Sequence, residues 1–252
     1  MEKLSIVIIC FNEENNIGRC IDSVKSVADE IVILDSFSTD QTVRIATEKG
    51  AIVKQQAFNG YIEKKNDALA LASHHYVLSL DADEALDQIL RDSILKEKEH
   101  FSAAAYRMNR CTSYCGQFIR HGSWYPDRKL RLFDKRIAHW GGTNPHDKIE
   151  LNQEVDIHQL KGDILHYAYQ SVDDHAAQNN KLSTMAANAL FKKGKRTRVI
   201  NILANPFWAF IQSYLVRAGF RDGFFGLVIA IQIAHLTFLK HVKLYLLQKA
   251  SK

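Results

Sequence analysis

The chain has 252 residues, 46% of them hydrophobic and 24% charged, with 3 prolines and a net charge of +5. These proportions exclude a disordered, collagenous or low-complexity polymer and leave enough apolar material for a full core in one domain with an appended segment. Four cysteines, at 10, 20, 111 and 115, are too few for a disulfide scaffold, and Cys111 and Cys115, four apart, have no second Cys or His pair at zinc spacing, so reduced thiols of a cytosolic protein are expected.

Residues 4–10 (LSIVIIC) are a β-branched apolar run that reads as a buried parallel strand. The polar run 12–16 follows at once without a small-residue cleavage site, so this terminus does not read as a signal peptide. Apolar residues at 17, 20, 21, 24 and 27 give a helix over 15–27. A second strand covers 30–34 and ends at Asp35. Ser38-Thr39-Asp40 caps a helix over 41–49, closed by Gly50. A third strand over 51–54 and a helix over 61–73 follow. A fourth strand over 75–80 runs into Asp81-Ala82-Asp83-Glu84. This alternation predicts an α/β fold with a Rossmann-like, mostly parallel sheet flanked by helices and ligands at the carboxyl ends of the strands.

Strands are expected at 103–109, 129–133 and 154–160, between loops rich in Trp, Tyr, His and Gly. Segments 114–127 and 139–148 are the candidate substrate loops. Beyond His175 the chain reads as helical, which divides it into a catalytic domain over 1–175 and a helical extension over 176–252. From Leu190 onward there are eleven Lys/Arg and one acid, Asp222. Such a tail suits a polyanionic partner, and basic flanks around apolar helices suit an anionic membrane surface. Its aromatic residues sit in apolar runs instead of alternating with Lys and Arg, so no nucleic-acid partner is expected. The run 224–242 is nearly of spanning length but is interrupted by Gln232, His235, Lys240 and His241.

Asp35, Asp81 and Asp83 stand at strand ends, where gathered carboxylates are costly unless they bind something. A divalent cation, Mg²⁺ or Mn²⁺, bridging to phosphate oxygens relieves that cost. The blocks Ile8-Ile9-Cys10-Phe11-Asn12-Glu13-Glu14, Leu34-Asp35 through Thr42, Lys65-Asn66 and Leu80-Asp81-Ala82-Asp83-Glu84 together resemble family 2 glycosyltransferases of the GT-A fold. Pro126-Asp127, Leu130-Arg131-Leu132-Phe133, Trp140-Gly141-Gly142, Pro145-His146-Asp147 and the 217–227 segment resemble the branch that builds lipopolysaccharide core oligosaccharide, near its β-1,4-glucosyltransferases.

The resemblance implies an inverting, metal-dependent transfer of a hexose, with UDP-glucose the expected donor, to a hydroxyl of a lipopolysaccharide inner core or other surface glycan. The enzyme is expected at the inner face of the bacterial inner membrane. Other lipid-linked or polysaccharide acceptors stay open. A nucleotidyltransferase is a further alternative, disfavoured because Asn12-Glu13-Glu14 replaces the Gly-rich phosphate loop.

On this reading Phe11 faces the base, Asp35 and Glu13 contact the nucleoside, and Lys65 and Asn66 lie near the donor phosphates, with Lys64 on a solvated face. Asp83 binds the metal, and Asp81 the ribose or donor sugar. Inversion needs a base opposite the leaving group, and Asp147 takes that role. His146 binds metal or diphosphate or orients Asp147; His166 is either a second metal ligand or a core residue. Trp124, Tyr125 and Trp140 offer flat faces to sugar rings, and Arg131 either meets acceptor phosphate or lines a strand edge.

Overall fold

The structure, a computed structural model, describes residues 2–143 and 146–251, the side chains of Thr143 and His146 excepted. Two compact units emerge. The first holds Met1–Arg110 and Asp127–His166; the second holds Cys111–Pro126 and Tyr167–Lys252. This division differs from the one expected after residue 175, because the chain leaves the first unit after Arg110 and returns at Asp127.

In the first unit the opening alternation forms β1 (Leu4–Cys10), α1 (Ile17–Val24), β2 (Glu30–Asp35), α2 (Thr42–Glu48), β3 (Ile52–Gln55), α3 (Tyr61–Leu71) and β4 (Tyr76–Asp81). The chain continues through β5 (Glu84–Leu86), α4 (Gln88–Glu99), β6 (Ala105–Tyr114), β7 (Gln117–Phe118), β8 (Asp127–Asp134), β9 (Ala138–Thr143), β10 (His146–Leu151) and β11 (Ile157–Tyr169), of which β7 and the last residues of β6 and β11 belong to the second unit. The sheet order is β3-β2-β1-β4-β8-β6-β11-β5. Pairs among β1 to β4 are parallel, whereas β4–β8, β8–β6 and β5–β11 are antiparallel. The expected mostly parallel sheet is therefore a mixed one, parallel only in its first half.

β1 is central, and its side chains alternate between two cores. Leu4, Ile6 and Ile8 pack with Ile17, Ile21, Ile33 and Leu80. Val7 packs on the other face with Leu34, Ala68, Val77 and Phe133. The register sets Cys10 opposite Asp35 and Ile9 opposite Asp81, so the acidic tips of β2 and β4 flank the end of β1. α4 is started by Asp87, whose side chain accepts from Leu90 N at 2.7 Å. Gly162 passes so close to this cap that a Cβ would lie 2.2 Å from Leu90 N, at a φ of +94°. Segment 139–148, expected as a loop, is mostly an antiparallel hairpin, β9–β10, pairing Trp140 with Ile149 and Gly142 with Asp147.

The second unit contains α5 (Val172–Lys192), α6 (Val199–Ile211) and α7 (Gly223–Ala250). A capping box between Ser171 and Asp174 starts α5. Tyr114, Ile119 and Ile229 form its small core with Trp124, Tyr169 and Phe225. α7 begins against the preceding turn: a Cβ on Gly226 would lie 1.9 Å from Gly219 O. Asp222 accepts from His121 N at 2.8 Å and from Arg120 N at 3.3 Å. Val199–Val216 and Gly219–Ala250 are each long and apolar enough to cross a membrane, by length and composition alone.

Candidate active site

The end of β1 turns through Asn12 at a φ of +54°, leaving Phe11 57% exposed. That exposure leaves its ring open to a flat ligand. Asp35, on the neighbouring tip, is fully buried. It accepts from Ser38 N at 2.9 Å, Gln55 Nε2 at 2.9 Å, the Ser38 hydroxyl and Cys10 Sγ at 3.4 Å. A carboxylate so enclosed needs its own donors, and in satisfying them it shapes the turn through Phe37. Burial raises its pKa, but the Ser38 and Gln55 hydrogen bonds prevail and hold it below the ordinary value. Glu13 is half-buried. Burial raises its carboxyl, the hydrogen bond from Asn16 opposes this, and the charges of Asp83, Asp40 and Asp81 push it further up.

Asp81, at the tip of β4, lies between two cations. Lys65 Nζ is 3.0 Å from its Oδ1 and Arg131 Nη2 is 3.2 Å from its Oδ2. Burial raises the Asp81 pKa, but Lys65 and Arg131 overcome it and hold the carboxyl far below the usual range. Both Asp81 oxygens join an internal charge network, while 29% of the side chain stays exposed. The same Lys65 ammonium donates to Asp147 Oδ2 at 2.8 Å. So the structure brings together Lys65, Asp81, Arg131 and Asp147, which come from α3, β4, β8 and β10.

Glu84 completes the network and was given no role in the sequence. It is 1% exposed; its Oε2 accepts from Asp81 N at 3.0 Å and its Oε1 from Arg131 Nη2 at 3.2 Å. It thereby clamps the turn that carries Asp83. Arg110 Nη1 lies 3.6 Å from the same carboxylate, and its Nη2 is 2.9 Å from Asp127. The acid directly after Asp-x-Asp was the available signal. Lys64, expected on a solvated face, is fully buried and donates to Asp35 O at 3.1 Å and Gln56 O at 2.5 Å. Two adjacent lysines on α3 thus serve two different strand tips.

Trp140 is 3% exposed, which corrects its expected role as a sugar platform. Its ring lies over Lys65 Nζ at 4.3 Å and near the Arg131 guanidinium carbon at 5.1 Å, shielding both cations. Arg131 is 4% exposed, so the strand-edge alternative is corrected as well. Asn66 is also placed differently from expectation. Its Nδ2 donates to Trp140 O at 2.8 Å and its Oδ1 accepts from Trp140 N at 2.9 Å. Asn66 grips the backbone of the hairpin that carries Asp147. His146 begins β10, and its side chain lies outside the described residues.

Asp83 Oδ2 lies 3.3 Å from His166 Nε2, the two side chains being 27% and 17% exposed. β11 pairs antiparallel with β5, setting His166 opposite Glu84 and so beside this turn. No group of three or more His, Cys, Asp or Glu residues suited to a metal occurs among the described residues. A carboxylate and an imidazole, both partly open, nevertheless fit a divalent cation that takes its remaining ligands from phosphate and water.

Trp124 and Tyr125 belong to the second unit. The Trp124 ring stacks on Tyr169 with centroids 5.3 Å apart and meets Tyr114 edge-on at 5.7 Å. One face of the Trp124 ring is thus used in that unit's core. Tyr125 is partly exposed and follows the short helical turn Gly122–Trp124.

Residues 5–152 match the model of Glycosyl transferase family 2. A glycosyltransferase of Rickettsia typhi is 33% identical over 97% of this chain and 87% of its own length. The lipopolysaccharide core biosynthesis glycosyltransferase LpsC of Rhizobium meliloti is 30% identical over 96% of this chain and 92% of its own. Glucosyl-3-phosphoglycerate synthase from Mycobacterium tuberculosis, crystallised with Mn²⁺ and UDP, aligns over 44% of each chain at 24% identity and a TM-score of 0.37, too slight a likeness to add to these matches. The chain belongs to glycosyltransferase family 2 and is a glycosyltransferase.

Proposed function

We propose that this glycosyltransferase is an inverting, divalent-cation-dependent hexosyltransferase. It takes glucose from UDP-glucose and adds it to a hydroxyl of a lipopolysaccharide inner-core or related lipid-linked glycan. The family assignment removes the nucleotidyltransferase alternative. The similarity to the LpsC enzyme over nearly the whole chain supports the acceptor class. A lipid-linked acceptor agrees with a peripheral position at the cytoplasmic face of the inner membrane.

One observation carries the mechanism: Asp147 shares the Lys65 ammonium with Asp81, which stands two residues before Asp83 in the chain. Asp147 takes the proton of the acceptor hydroxyl as its oxygen attacks the anomeric carbon. The bond from that carbon to the diphosphate oxygen breaks, and the nucleoside diphosphate leaves on the opposite face. Lys65 fixes the orientation of the Asp147 carboxylate by holding Oδ2. Asn66 and Trp140 seat the hairpin beneath it. Asp83 and His166 would hold a divalent cation, whose chemistry is electrostatic stabilisation of the leaving diphosphate.

The test is transfer from UDP-glucose to a truncated lipopolysaccharide core in Mn²⁺ or Mg²⁺, with the product linkage read by NMR. A β-linked glucose formed only with the cation is expected. An α-linked product would overturn inversion, and undiminished transfer in chelator would overturn the cation. Transfer only from another donor would overturn the choice of glucose.

A further inference from the structure

Within the second unit α6 is the least covered helix, with no buried residue. Val199, Ile200, Leu203, Phe207 and Trp208 are all more than half exposed, and Leu215 and Val216 extend the apolar surface. Residues 199, 203 and 207 recur at the helical spacing, with 200 and 208 beside them. The other side of α6 rests on α7, where Asn205 Nδ2 lies 2.9 Å from His241 Nε2 and the Thr197 hydroxyl 3.0 Å from His241 Nδ1. Lys192, Lys193, Lys195, Arg196 and Arg198 precede α6, and Arg217 and Arg221 follow it, all exposed. No acidic residue lies between 190 and 221.

We propose that α6 lies in the plane of an anionic lipid bilayer. Phe207 and Trp208 enter the acyl boundary and the basic run 192–198 binds lipid phosphates. The inference rests on the membrane-surface reading above and assigns the surface that performs it. Charge complementarity selects the occupant: an apolar stripe with cations at both ends and no acid matches anionic headgroups over hydrocarbon.

The same helices pass a length test for crossing, yet α5 argues for lying flat. Asn179 Nδ2 donates to Gln232 O and Oε1 on α7, at 3.1 and 2.9 Å. Further along, Lys243 donates to Asn180, Ser183 and Thr184 of α5. The polar α5 therefore accompanies α7 along its length. Crossing would drag Asp173, Asp174, Lys181 and several amides toward hydrocarbon.

The test sediments the full chain with phosphatidylcholine vesicles, with and without phosphatidylglycerol. No donor or acceptor is present, so the outcome is independent of the sugar chemistry. Wild type is expected to pellet only with anionic vesicles and to be released by alkaline carbonate. Phe207→Glu with Trp208→Glu is expected to lose about tenfold or more in binding, and Lys192→Gln with Lys193→Gln to weaken it partly. Trp208→Ser serves if the double variant does not fold.

Equal pelleting of the folded variants would overturn the proposal and leave some other membrane surface. Wild type resisting carbonate would mean a span. A vesicle-free dimer split by the double variant would assign the face to a second copy. Wild type remaining in the supernatant would remove the membrane-surface reading too, while transfer to a delipidated core fragment would show whether the transferase reading stands.

Discussion

Lys65 ties Asp147 to Asp81: one ammonium, 5% exposed, stands 2.8 Å from the first carboxylate and 3.0 Å from the second. The three residues come from separate elements, so this contact fixes where the hairpin sits against the tip of β4. Lys65→Met removes the bridge and leaves two carboxylates to repel each other. Turnover is expected to fall on the order of 100-fold with the donor KM nearly unchanged, since a displaced base costs rate more than binding. Lys65→Arg should recover part of it. A raised donor KM with kcat retained would instead assign Lys65 to the donor phosphates.

Asp147 and Asp83 are separable by their readouts. Asp147→Asn keeps the shape but cannot take a proton, so kcat is expected to drop roughly 100- to 10,000-fold. Donor binding with Mn²⁺, followed by thermal shift, should be retained. Asp83→Asn and His166→Gln should do the reverse first, losing the Mn²⁺-dependent shift while the protein alone melts normally. Equal loss of that shift in Asp147→Asn would place the metal elsewhere.

The Asp81 network also has a pH signature. Its folded pKa lies below the unfolded value of about 3.9, so its contribution to stability is fully present above that value and is lost as pH falls below it. Asp81→Asn leaves Lys65 and Arg131 short of a partner and is expected to cost on the order of 2 kcal/mol at neutral pH, moderated by the partial exposure of the carboxylate. Urea unfolding of wild type and variant should converge as the solution is acidified below about pH 4. A constant gap would mean the loss is one of packing.

β1, β2 and β4 were legible because each is a short apolar run closed by an acid or a polar turn, whereas β3, with only Ile52 and Val53 apolar, was carried by the strand–helix alternation. Periodicity also exposed the paired helices. The antiparallel half was harder. β11 was expected over 154–160 yet runs Ile157–Tyr169, since exposed Lys161 and half-buried positions such as Tyr167 break the apolar pattern. The β9–β10 hairpin looked like a loop because Gly141 and Gly142 interrupt the alternation that buries Ala138 and Trp140. At the strand tips, residue types pointed to a cluster of acids and bases but not to the contacts each one makes. A motif singles out Lys65 and Asp81; only the fold shows that they bind each other, or that Asp35 is enclosed by its own turn.

The last prediction concerns His175 in the second unit. Its ring is 3% exposed, packed 5.3 Å from Tyr114 and 4.9 Å from Tyr169. Burial lowers its pKa to about 4, so it is neutral in the fold where the unfolded chain already takes up a proton. Its stabilising contribution is therefore present above the unfolded value of about 6.5 and is lost as pH falls toward the folded one. Between pH 7 and pH 5 the second unit should lose about 2 kcal/mol from this group alone. His175→Phe keeps an aromatic in the cluster without a titrating site, so its stability should vary less with pH by that amount. Near-UV circular dichroism during urea unfolding at the two pH values measures the difference, and parallel losses in wild type and variant would assign the acid sensitivity to other groups.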